Sequence, residues 1–201
     1  LEVYTTLKSS GNSRKEYRNS VFIGYATPVN DEIEAKDFID QIKEKHKDAN
    51  HNVSAYVIKK DGIVAIKYDD DGEPAGSSGK PIYKVLEMKE ISNIVVVITR
   101  YFGGVKLGFG GLAKAYRETA VEAIEDAGYV EIREKAILCI KFDYQDIEKI
   151  KKLAIECGNI LKEDFSEIVT FKFEIDCDKK DDFVEQLIDA TKNNVKIETY
   201  G

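Results

Sequence analysis

A chain of 201 residues, 43% apolar and 33% charged, has the composition of a folded protein with a heavily ionised surface, and the expectation is two small domains rather than one large one. No window approaches the run of ~20 apolar residues that crosses a bilayer, and the charged opening stretch lacks the apolar core of a secretory signal, so a cytoplasmic protein without a membrane partner is expected. The net charge of −7 leans on the tail, where residues 134–201 carry 11 Lys and Arg against 16 Asp and Glu; the global balance advertises no polyanion, and only local charge can.

In chain order, Ser20 to Pro28 (SVFIGYATP) is dense in β-branched and aromatic residues and stops at a proline, which predicts a strand. Asn30 or Asp31 then opens a helix with an acidic first turn. Its Ala35, Phe38, Ile39 and Ile42 share one face, and it should end near His46. Val53 to Lys59 and Ile63 to Tyr68 predict a hairpin turned at Asp61-Gly62. After a polar loop, Ile82, Val85 and Leu86 restart helical spacing, and the continuous apolar run Ile94 to Thr99 predicts a strand buried on both faces. From Leu112, the residues Ala115, Tyr116, Thr119, Ala120, Ala123, Ile124 and Ala127 hold helical spacing until Gly128 stops it.

The tail has its own rhythm: strand Ala136 to Phe142, helix Gln145 to Cys157, strands near Ile160 and at Val169 to Ile175, helix Asp181 to Thr191, strand Val195 to Thr199. That β-α-β-β-α-β order predicts a ferredoxin-like domain, with the boundary near Arg133. Cys139, Cys157 and Cys177 sit among apolar neighbours and read as core. An odd count without CxxC spacing argues against a disulfide framework or zinc site.

Two loops carry the information. The first, Asp69 to Pro81 (DDDGEPAGSSGKP), places Gly72, Gly76 and Gly79 beside Ser77, Ser78 and Lys80, just ahead of a helix start whose free amides would attract an anion. It is not a Walker A loop, because Pro74 stands at the first glycine position and Pro81 where the magnesium-binding hydroxyl belongs. An EF-hand fails too, since Lys67 would be its first ligand. The bland reading is a rigid connector that caps a helix.

The second loop, Thr99 to Glu118 (TRYFGGVKLGFGGLAKAYRE), brackets Lys106 with Gly103, Gly104, Gly108, Gly110 and Gly111. No acidic residue lies between Ile91 and Arg117, while Arg100, Lys106, Lys114 and Arg117 are all cationic. Helix amides and cations would converge there on a phosphate backbone, with Tyr101, Phe102 and Phe109 available to stack on bases if exposed. A Rossmann loop does not fit, because the acidic partner that should end a second strand is missing. The bland reading packs these glycines and aromatics between strand and helix. His46, Asp48 and His51 match no familiar metal spacing and read as hydrogen-bonding residues.

The stretches HNVSAYVI, DDGEPAGSSGKPI and VVVITRYFGGVKLGFGGLAKAY, in this order and spacing, resemble the signature of the IMPACT/YigZ family over about residues 15–127, and the tail is similar to the second domain of its bacterial members. The resemblance implies an α+β protein. Residues 1–133 would adopt the ribosomal protein S5 domain 2-like fold, a mostly β sheet backed by two helices with a left-handed crossover; residues 134–201 would be ferredoxin-like, akin to the fifth domain of elongation factor G. The first domain likewise resembles the fourth of that factor, so both relatives work on the ribosome. Eukaryotic IMPACT regulates translation by competing for an activator of a stress kinase but has a different accessory domain, so that partner does not transfer. Phe109 and Lys114 depart from the family's usual small residue and Arg.

The expected function is therefore non-enzymatic: an RNA- or ribosome-binding regulator of translation that needs no cofactor, with Lys80, Arg100, Lys106, Lys114 and Arg117 on phosphates. One alternative is an enzyme on a phosphorylated or nucleotide substrate, with Asp70, Asp71 and Glu73 holding Mg²⁺. Another is a module whose basic face docks an acidic protein of the translation machinery.

Overall fold

The computed structural model describes residues 3–60 and 62–200, which form two compact units, residues 4–132 and residues 133–200 with Val3. In the first unit, which holds all of these elements but the end residues Val3 and Arg133, the order is β1 (Val3–Leu7), β2 (Gly11–Tyr17), β3 (Ser20–Pro28), α1 (Glu32–Lys45), β4 (His51–Lys60), β5 (Ile63–Asp69), α2 (Gly79–Met88), β6 (Ile94–Tyr101), α3 (Gly108–Ala127) and β7 (Tyr129–Arg133). Five strands make an antiparallel sheet in the order β2-β3-β6-β4-β5, and β1 pairs with β7 separately.

The apolar run of β6 explains its central place. Alternation sends Ile94, Val96 and Ile98 toward α2 and α3, into a core with Phe22, Leu86, Tyr116 and Ile124. It sends Val95 and Val97 to the other face, against Ala35 and Ile42 of α1. Helices thus cover both faces of this sheet, where the resemblance implied a sheet backed by two helices.

The second unit runs β8 (Lys135–Phe142), α4 (Ile147–Cys157), β9 (Gly158–Phe165), β10 (Val169–Asp176), α5 (Lys180–Thr191) and β11 (Val195–Tyr200). Its sheet is antiparallel in the order β11-β8-β10-β9. Val169, Phe171, Phe173 and Ile175 of β10 point inward and meet Phe183 and Leu187 of α5. The element order is the one read from the tail.

Strands β1, β2 and β7 were not foreseen. The sequence of β2 (GNSRKEY) is polar because the strand lies on the sheet edge and buries little beyond Gly11. Asp61, half of the predicted hairpin turn, lies outside the described residues. The cysteines, read as core, are half-buried and free.

Candidate functional site

Sheet register builds the first part of the site. Arg100 on β6 stands opposite Phe22 on one side and His51 on the other, at one end of the sheet. Two residues beyond Ile98, its side chain shares the face that α3 covers, so it is only 5% exposed. Its Nη1 donates to Glu73 Oε1 at 2.7 Å, Nη2 reaches Ser20 Oγ at 3.4 Å, and the guanidinium lies over the Phe22 and Phe102 rings.

Glu73 comes from the first glycine loop and is 7% exposed. The buried Tyr116 hydroxyl of α3 donates to the same Oε1 at 2.7 Å. Burial, and then the Glu73 charge beside it, push the Tyr116 hydroxyl far above the ordinary phenol range, so it stays a donor. Buried charges persist only when paired and hydrogen-bonded in this way. His51 joins them: its Nδ1 donates to the Asp71 carbonyl at 2.8 Å, and its Nε2 lies 3.8 Å from Glu73 Oε2.

The two helix ends behave differently. Ahead of α2, the Asp70 carboxylate accepts the amides of Gly76 (2.7 Å), Ser78 (3.2 Å) and Gly79 (2.8 Å), and the Ser78 hydroxyl (2.6 Å). Burial raises the Asp70 pKa, but the Ser78 hydroxyl and the three amides together hold it below the usual carboxylate range. The chain thus supplies its own anion to this helix. At α3 the N-cap residue Leu107 supplies no side-chain cap, the first turn holds no acid, and no carboxylate among the described residues takes its amides as Asp70 does at α2. Gly110 lies there with nothing within 4 Å of where a Cβ would sit. The positive end of a 20-residue helix is therefore open.

Both glycine loops meet at a cleft of about 410 Å³. Glu73 and Pro74 come from the first loop, Lys106, Leu107, Gly108 and Phe109 from the second, and Asn50, His51, Arg100, Phe102 and Leu112 complete the lining. Phe102 and Phe109, which line the cleft with Lys106, are 45% and 59% exposed.

The family model for the Impact N-terminal domain matches residues 18–124, and one for a domain of unknown function (DUF1949) matches residues 140–194. IMPACT family member YvyE of Bacillus subtilis is 37% identical over 98% of this chain and 91% of its own. The chain belongs to the IMPACT family. A solved structure titled a hypothetical protein is 26% identical, with TM-score 0.67 over 100% of this chain and 98% of that one. Another, titled the two-domain translational regulator Yih1, is 32% identical over 61% of this chain and 48% of its own, with TM-score 0.37.

In this IMPACT family member the predicted site residues divide. Lys106 and Gly108 line the cleft, and Lys114, Arg117 and Gly110 lie exposed along the first turns of α3. Lys114 is 3.9 Å from Glu118, an exposed pair of little consequence. Gly104 has positive φ and Gly111 packs on Leu107. Gly103, two residues past the end of β6, lets the chain pass the backbone of Asn19 and Ser20, where a Cβ would lie 2.0 Å from Asn19 C.

Arg100, Ser77 and Ser78 are buried instead, and Lys80 is exposed on a helix end already neutralised by Asp70. Asp70, Asp71 and Glu73, the alternative magnesium set, do not converge. Asp70 caps α2, Asp71 takes the Asn52 amide (2.7 Å) and Lys43 (3.2 Å), and Glu73 takes Arg100. No group of three or more metal-binding side chains occurs among the described residues. His46 is held between the Tyr25 and Tyr101 hydroxyls, and burial, then Lys45, lower its pKa.

Sequence reasoning missed Tyr116 and the role of Glu73 in the floor. The one available signal was a lone Glu after three Asp, too weak to name a partner 27 positions away.

Proposed function

We propose that this IMPACT family member is a non-enzymatic RNA-binding protein that acts in translation. Its contact would be the cleft where Lys106 and the uncapped amides of α3 stand beside the exposed rings of Phe102 and Phe109. That juxtaposition carries the reading. Cations and free amides suit phosphates, exposed aromatic faces suit unstacked bases, and the pairing of the two in one groove is what single strands require.

Translation is the setting the family resemblance implies, and one member's title names that protein a translational regulator. The finer fold names belong to the same proposal. The first unit would be S5 domain 2-like and the second ferredoxin-like, as in two neighbouring domains of elongation factor G; the β11-β8-β10-β9 order supports the latter. The ribosome is then the natural place for the RNA.

Three exposed cations, Lys106, Lys114 and Arg117, set the scale, Arg100 being paired internally. Anisotropy titrations of a short single-stranded RNA across a salt series should give a log–log slope of roughly −2. Lys106→Ala should weaken binding and make the slope shallower by roughly 0.7. A flat salt response, or unaltered affinity in the triple alanine variant, sinks the proposal.

A further inference from the structure

The floor of the cleft presents two hydrogen-bond acceptors side by side. Glu73 has a side chain only 3% exposed; its Oε1 takes Arg100 and Tyr116, while Oε2 accepts no hydrogen bond among the described residues. His51 Nδ1 faces a carbonyl oxygen, which can only accept, so in the neutral ring the proton is on Nδ1 and Nε2 carries a lone pair. That lone pair stands 3.8 Å from Glu73 Oε2. A carboxylate oxygen of the buried Glu73 side chain and an imidazole nitrogen, neither accepting a hydrogen bond among the described residues, therefore border one cavity.

Two neighbouring acceptors call for two neighbouring donors. Among the four RNA bases only guanine offers that pair, N1–H beside the N2 amino group; adenine and cytosine present one donor next to an acceptor, and uracil a single N–H between carbonyls. A cleft of about 410 Å³ also falls in the range that encloses one nucleotide. Phe102 and Phe109 provide ring faces, and the open end of α3 with Lys106 provides for a phosphate.

We infer that the cleft is a guanine-selective subsite. One unstacked guanine directs its N1–H and N2 amino group at Glu73 Oε2 and His51 Nε2 while its phosphate lies toward the first turn of α3. This inference rests on the RNA-binding reading and narrows it.

Calorimetric titration of the full chain with GMP, IMP, AMP and N1-methyl-GMP tests it. GMP should bind roughly tenfold tighter than AMP. IMP, which lacks the N2 amino group, should fall between them, and N1-methyl-GMP should do no better than AMP. His51→Ala should move the GMP to AMP ratio toward one, whereas Phe109→Ala should weaken all four ligands and leave the ratio alone.

Glu73→Gln would strip Arg100 of its buried partner and risks the fold, so the ligand series is the primary readout. Equal affinities for the four ligands, or salt-dependent RNA binding with no mononucleotide binding, overturn the guanine subsite and leave the RNA reading standing. Absence of both kinds of binding overturns the two together.

Discussion

The helix ends at α2 and α3 begin from nearly the same sequence chemistry, a glycine-rich loop with a lysine ahead of a helix, and arrive at opposite electrostatics. At α2 the loop folds back so that Asp70 takes three amides and a hydroxyl. At α3 the loop brings no carboxylate, and Gly108, Phe109 and Leu112 at the start of the helix line a cleft with exposed aromatic rings. Glycines before a helix make an anion site only when the chain does not supply the anion itself.

The largest way to break that contrast is Asp70→Ala. It leaves three amides and Ser78 without their acceptor and should cost about 2–3 kcal/mol, read by urea denaturation near neutral pH. The Asp70 pKa is depressed in the folded state, so its stabilisation is complete above the unfolded carboxylate pKa and disappears as pH falls through the folded value. The stability gap between wild type and variant should therefore close in acid.

A second change would make α3 imitate α2. Gly110→Asp puts a carboxylate into open space at the first turn, so the fold should tolerate it. RNA affinity at low salt should nonetheless drop roughly tenfold, measured by anisotropy. Gly110→Ala is the mildest probe. With no neighbour for its Cβ to strike, it should raise stability by about 0.5–1 kcal/mol in urea titrations, the conformational cost the native glycine carries.

The contrast also marks what a linear reading could reach. Periodicity disclosed β6 and α3 because a strand buried on both faces and a long helix with one small-residue stripe leave dense local patterns. Strand β2 left none, since an edge strand needs apolar residues on neither face to hold its ladder.

At the site, composition revealed that Arg100 and Lys106 were cations in an acid-free stretch. It did not reveal that Arg100 turns inward to Glu73 while Lys106 turns out, which depends on register and on a loop 27 positions earlier. The bond from Asp70 to the Gly79 amide spans only nine positions, yet it too is a matter of loop conformation, and Asp69 and Asp71 are equal contenders in sequence.

Amide NMR shifts during titration with a short single-stranded RNA compare the two ends in one experiment. The account predicts that the Gly108 to Gly111 amides move strongly while those of Gly76 to Gly79 stay put, because Asp70 already occupies the latter. Saturable RNA binding that moves the Gly76 to Gly79 amides and leaves Gly108 to Gly111 unperturbed would contradict it.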